Sequence, residues 1–168
     1  LDRAGITGDD GPSHNGMWDL ALTGIVPTLH VAAPRDAARL RETLREAVEI
    51  SHAPSLLRFP KGAVQSDIPA FERRDGVDVL YRGESADVLL VSIGAMAAIA
   101  VEAASMAYRE GVGVTVIDPR WVKPLPTSLV TIAQRYKSVV VLEDGIKHGG
   151  IASAISEMFR EAELSTPI

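Results

Sequence analysis

A chain of 168 residues, 46% hydrophobic and 23% charged, has room for one globular domain or two small ones and needs no metal or disulfide to fold. Its 22 Asp and Glu outnumber its 17 Lys and Arg, and the net charge of −5 argues against nucleic acid or an anionic membrane surface as a bulk partner. The absence of cysteine excludes thiolate catalysis, cysteine zinc sites, iron–sulfur clusters and disulfides, and no run approaches the ~18 apolar residues that span a bilayer, so the expected setting is cytoplasmic.

The chain opens on Leu1-Asp2-Arg3-Ala4-Gly5, which reads as the end of a strand entering a loop, and it stops where a new strand is due, so it reads as a fragment of a larger protein. Residues 5–16 are nearly all turn formers and predict a long irregular loop, a feature that is usually functional inside a compact domain. A short helix is expected over 17–22. The apolar run 29–32, closed by Pro34, predicts a buried strand. Asp36 is placed to cap a helix with Leu40, Leu44, Ala47 and Val48 on its apolar face and its Arg and Glu residues turned to water. Residues 55–59 read as a further buried strand, stopped by Pro60-Lys61-Gly62. With Ile25 and Val26 also read as strand, the first half holds only the later elements of a domain, and its strand edges are expected to lack partners.

Residues 63–76 keep no sustained period and predict a linker, with the boundary proper at 71–76. Strands are then expected at 77–81, 87–93, 112–117 and 138–142, and helices at 95–109, 127–136 and 151–162. Near-continuous Val, Ile and Leu strands alternating with helices predict an α/β fold with a mainly parallel sheet covered by helices on both faces.

Strand ends in such a sheet are where ligands sit. Gly94, Asp118-Pro119-Arg120 and Glu143-Asp144-Gly145 fall there, without a dinucleotide fingerprint or a phosphate-binding loop. Glu143 and Asp144 read as a cap or a salt bridge ahead of an acid–base pair, and Gly149-Gly150 is open either to an anion at a helix start or to close packing. Arg3, Asp10, His14 and Lys61 lie in or beside glycine-bounded loops. An Arg and a Lys converging on one site suit a phosphate, and a loop imidazole can move protons near pH 7. His30, His52 and His148 carry no metal-ligand spacing.

Five motifs go further together: Asp-Arg-Ala-Gly at 2–5, Asp-Gly-Pro-Ser-His-Asn-Gly at 10–16, Phe-Pro-Lys-Gly at 59–62, Val-Ile-Asp-Pro-Arg-Trp-Val at 116–122, and Leu-Glu-Asp-Gly at 142–145 followed by Gly149-Gly150. In order and spacing they resemble the 1-deoxy-D-xylulose-5-phosphate synthase family, transketolase-group enzymes that use thiamine diphosphate and magnesium. The resemblance implies the C-terminal half of a pyrimidine-binding domain over 1–70 and a transketolase C-terminal-type domain over 77–168. It implies condensation of pyruvate with D-glyceraldehyde 3-phosphate, with decarboxylation, in a homodimer, serving isoprenoid, thiamine and pyridoxal synthesis.

On this resemblance, Arg3 and Lys61 hold the aldehyde's phosphate, Asp10 lines the substrate pocket, and His14 is catalytic. Lys61 stands where the family has arginine, which keeps the charge and loses the bidentate fork. The Gly-Asp-Gly…Asn motif that anchors the diphosphate and metal is absent, as are the cofactor-activating glutamate and the stacking aromatic, so the segment alone is expected to be inactive. Two other readings stand beside this one. One is the β subunit of a 2-oxo acid dehydrogenase or another transketolase-group enzyme, and the other is a non-catalytic α/β dimerisation module.

Overall fold

Hydrophobic periodicity sets most of the elements. The computed structural model describes residues 1–63 and 66–168; the part of the expected linker at 64 and 65 lies outside the described residues. The first half contains α1 (Asp19–Gly24), β1 (His30–Ala32), α2 (Ala37–Glu49) and β2 (Ser55–Leu57). The second contains β3 (Glu72–Arg74), β4 (Val77–Tyr81), β5 (Val88–Ser92), α3 (Ala97–Arg109), β6 (Val114–Asp118), β7 (Trp121–Lys123), α4 (Ser128–Ala133), β8 (Ser138–Leu142) and α5 (Ile151–Glu161).

The larger sheet has the order β3-β4-β6-β5-β8. β5 runs parallel to β6 and β8, whereas β4 is antiparallel to β6 and β3 to β4. The sheet is therefore mixed, not mainly parallel, because the chain enters it through a hairpin. Residues 72–74, expected within a linker, are its edge strand, fixed also by Phe71 N donating to Val79 O at 2.8 Å.

Helices cover both faces, as the strand composition predicts. On one face Leu89, Val91, Ile93 and Ile117 pack with Leu129 of α4 and Ile155 and Phe159 of α5. On the other, Leu90, Val114 and Val116 meet Ala97, Ala100 and Ala104 of α3, whose small side chains let the helix lie close to the sheet. Each Leu or Ile so buried contributes about 1.5–3 kcal/mol, so this half carries most of the core.

The smaller sheet has the order β2-β1-β7, with β1 and β2 parallel. Its edges are less bare than expected. β7, which comes from the second half and was not foreseen, pairs antiparallel with β1, and Ala33 N donates to Arg120 O at 2.9 Å. On the far side, Leu1 N donates to Leu57 O, Phe59 N to Leu1 O and Ala4 N to Phe59 O, so residues 1–4 run along the end of β2. The sheet does not close, and β2 stays partly exposed.

Two local expectations are corrected. Ile25 and Val26 form no strand; they follow α1 and stand exposed. In α2, Asp36 does cap the helix, accepting from Arg39 N at 2.7 Å. Its buried face, however, is Thr43 and Ala47, while Leu44 and Val48 point outward. Arg39, Glu42 and Glu46, expected in water, are bonded into a charge network against the second half.

Candidate functional site

The glycine-rich stretch 5–16 folds as a loop pinned at its base. Gly16 N donates to Gly5 O at 2.9 Å, and Gly5 takes a left-handed φ of 69°. A Cβ on Gly16 would lie 2.1 Å from Arg3 O, so only glycine permits this approach. Inside the loop, Thr7 donates through both its backbone nitrogen and its hydroxyl to Asn15 Oδ1, at 3.1 and 3.2 Å. Two tight turns, Gly8–Asp10 and Pro12–His14, then place Asp10 and His14 on the same loop.

Pairing of residues 1–4 with 57–59 brings Arg3 beside Phe59-Pro60-Lys61. Lys61 Nζ donates to Asp10 Oδ2 across the gap between the two segments. The Asp10 carboxyl is held below the ordinary carboxylate range, chiefly by that bond, against some desolvation; the charges of Lys61, His14 and Arg3 add to the effect. Residues from three separate stretches thus form one electrostatic cluster. His14 Nδ1 lies 3.0 Å from Ser13 Oγ. A cavity of about 450 Å³ opens beside the cluster, within the usual range for a small-molecule site; it is lined by Asp2, Arg35, Asp36, Phe59, Pro60 and Lys61 among others, but not by Arg3, Asp10 or His14. Arg, Lys and imidazole side chains gathered in this way can take up a phosphate ester and move a proton.

The other strand-end candidates are structural. Glu143 accepts from Ile151 N at 2.9 Å and from Ala152 N at 3.0 Å, capping α5. The anion at that helix start is therefore the protein's own, and Gly150 is required because a Cβ would lie 2.6 Å from the backbone oxygen of Ile146. Asp118 and Arg120 are buried at the junction of the halves. Arg35 Nη1 donates to Asp78 at 2.8 Å and to Asp118 at 2.7 Å, and Trp121 Nε1 donates to Glu46 at 2.7 Å. Burial raises the Asp118 carboxyl, with Arg35 opposing; burial also pushes Asp78 up, but Arg73 and Arg35 together hold it below its ordinary value.

Sequence reasoning missed Arg58, which is almost fully buried. Its Nε donates to Asp19 Oδ1 at 2.8 Å, Nη1 to Asp144 Oδ1 at 2.5 Å, and Nη2 to Gly16 O at 3.1 Å. The available signal was a charge inside the apolar run Leu56-Leu57-Arg58-Phe59, because a buried charge must be paired.

Comparison with known proteins assigns a family to each half of the chain. Residues 1–66 match the family described as transketolase, pyrimidine binding domain, and residues 78–168 match transketolase, C-terminal domain. The chain belongs to the transketolase family. It is 57% identical over 170 residues to the 1-deoxy-D-xylulose-5-phosphate synthase of Mycolicibacterium gilvum, covering 99% of this chain and 27% of that protein. It is 56% identical to the enzyme of the same name from Mycolicibacterium vanbaalenii, with the same coverage. It thus spans about a quarter of the length of these curated relatives. Among solved structures, a split-gene transketolase described as an inactive β4 tetramer superposes with a TM-score of 0.81 at 33% identity, covering 92% of this chain and 52% of that one.

Proposed function

We propose that the chain is the acceptor-binding part of a transferase that condenses pyruvate with D-glyceraldehyde 3-phosphate, releasing carbon dioxide and forming 1-deoxy-D-xylulose 5-phosphate. The observation that carries the reading is the cluster of Lys61, Asp10, His14 and Arg3, in a chain 52–57% identical to synthases of that name. On this reading residues 1–70 are the later half of the pyrimidine-binding domain, and 77–168 are the C-terminal domain. The uncovered apolar stripe of Leu44 and Val48 on α2 supports a domain that continues into other residues. The working assembly is a cytoplasmic homodimer.

Thiamine diphosphate, the cofactor of the family, would supply the electron sink for the loss of carbon dioxide from pyruvate. The Gly-Asp-Gly…Asn motif through which the family holds its metal-bound diphosphate is not found in residues 1–168. The cofactor's anchors belong to other parts of the enzyme, and the segment by itself is inactive. The split-gene β tetramer, described as inactive, supports that division.

On this reading each of the chain's own site residues has a part. Arg3 and Lys61 bind the acceptor's phosphate, with Lys61 exchanging Asp10 for the dianion. Asp10 orients the acceptor's C2 hydroxyl. When the new carbon–carbon bond forms, the aldehyde oxygen gains negative charge, and His14 delivers a proton to it from Nε2. In the intact enzyme, His14→Ala should lower kcat/KM by about 10²-fold, the scale of a positioned proton-transfer group, with Tm unmoved. Carbon dioxide release from pyruvate with the aldehyde present is the assay. Absence of turnover in the unaltered enzyme would end the reading, and a His14→Ala variant with full rate would remove His14 from it.

A further inference from the structure

We propose that the Arg58–Asp144 pair is a positioning device through which the C-terminal half holds the acceptor loop, so that Arg58 and Asp144 set the placement of His14 and Asp10 without touching substrate. The proposal rests on the functional reading given above.

The geometry is specific. Arg58 follows β2, and its side chain is 2% exposed. Its planar fork reaches three segments at once: Asp19 at the start of α1, the carbonyl of Gly16 at the base of the loop, and Asp144 in the turn after β8. Asp144 also packs on the loop's other stem, since its Oδ2 lies 3.0 Å from where a Cβ on Gly5 would stand. The same turn is tied down again by Ile146 N donating to Met17 O at 2.9 Å. Both stems of the loop, Gly5 and Gly16, therefore rest on one ion pair whose members come from different halves of the chain.

His14 is two residues from Gly16, and Asn15 between them is bonded back to Thr7. A shift at Gly16 is thus passed to His14 with little chain to absorb it. Misplacing a reacting group by about 1 Å can cost 10²-fold in rate, so a pair that fixes the stems acts on catalysis. Lysine cannot replace Arg58 here. A point charge on a flexible stem cannot hold two carboxylates and a carbonyl in three directions. The role also explains why Asp144 carries a carboxylate beside Glu143, which is already committed to capping α5.

The test is Asp144→Asn in the intact enzyme, with Arg58→Lys as a second variant should the first fold poorly. Asp144→Asn keeps size and an acceptor oxygen but removes the charge. Expected are a fall of at least 10-fold in kcat/KM for D-glyceraldehyde 3-phosphate, an unchanged KM for pyruvate, and a Tm close to that of the unaltered enzyme. Hydrogen exchange should rise at the amides of residues 5–16, including Gly16 N and His14 N, and stay unchanged in β5 and β6. Unchanged exchange in the loop would overturn the proposal whatever the rates do. Raised exchange with full kcat/KM for the aldehyde would also overturn it, since the pair would then hold the loop to no catalytic end. An equal loss against both substrates together with a lowered Tm would show a purely structural bond. If the unaltered enzyme fails to turn over these substrates, the functional reading falls, and the exchange measurement still decides whether the pair sets the loop.

Discussion

Replacing Arg35 by Met removes the central cation of the junction between the halves. Its side chain is fully buried, with Nη1 shared between Asp78 and Asp118 and Nε donating to Ile68 O at 3.0 Å. Asp78 keeps Arg73, at 2.5 Å, but among the described residues Asp118 keeps only the amide of Arg120, at 2.8 Å. A buried carboxylate stripped of its partner costs about 3–5 kcal/mol. At roughly 2–4 °C per kcal/mol for a chain of this size, Tm should fall by about 6–20 °C. Urea denaturation followed by circular dichroism measures the loss directly. Because the cost is the stranded charge, adding Asp118→Asn to Arg35→Met should recover about 1–3 kcal/mol. The pH dependence follows the same logic. The folded-state pKa of Asp118 already lies above its ordinary value of 3.8, chiefly through burial, and losing Arg35 lifts it further. Between 3.8 and the raised value the folded state binds more protons than the unfolded one, so stability rises as pH falls through that window. The deficit of Arg35→Met against the unaltered chain should therefore shrink from pH 7 toward pH 4. A loss under about 1 kcal/mol, a deficit independent of pH, or no recovery in the double variant would refute the reasoning.

Glu143→Ala should cost about 0.5–2 kcal/mol by freeing the first amides of α5, read as a lower urea midpoint with an unchanged slope. Truncating Arg3 or Lys61 to Ala should raise KM for D-glyceraldehyde 3-phosphate by about 10- to 100-fold, the worth of a charge-assisted hydrogen bond, and leave KM for pyruvate nearly unchanged. Equal effects on both substrates would remove these residues from the phosphate. Calorimetry of the 168-residue chain with thiamine diphosphate and magnesium should show no heat above dilution, and micromolar binding would count against placing the anchors elsewhere.

The alternation of Val- and Ile-rich strands with helices made the second half legible, and the Ala spacing in α3 made its close packing legible too. The glycines of 5–16 announced a shaped loop, and Lys61 stood out because Pro60 and Gly62 expose it. What could not be read is what depends on distant partners. β7 follows Arg120, whose φ of 61° turns the chain sharply out of β6, and its strand partner β1 lies about 90 residues earlier. The inner face of α2 was misassigned for a physical reason. Helical periodicity identifies the apolar stripe Leu40-Leu44-Val48, but that stripe is not the face turned to this chain's own second half. There the helix presents Arg39, Glu42 and Glu46 to Arg73 and Arg120, and a polar interface has no signature in a hydropathy pattern.

The same contrast explains how the halves are held. An apolar interface tolerates sliding, because burial is non-directional and scales with area. The junction here is directional at both ends. Arg35 and Arg120 tie α2 and the turn before it to β4 and β6. Arg58 ties the end of β2 to the turn after β8. Such buried pairs add little net stability over apolar packing, because desolvation offsets most of the attraction. What they add is orientation, since a guanidinium fork accepts only a narrow set of carboxylate positions. The cluster of Lys61, Asp10, His14 and Arg3 is assembled from surface segments that carry almost no core of their own. Its geometry is therefore set from below, by charges that hold the two halves in one register, and the residues that fix it lie in both halves of the chain.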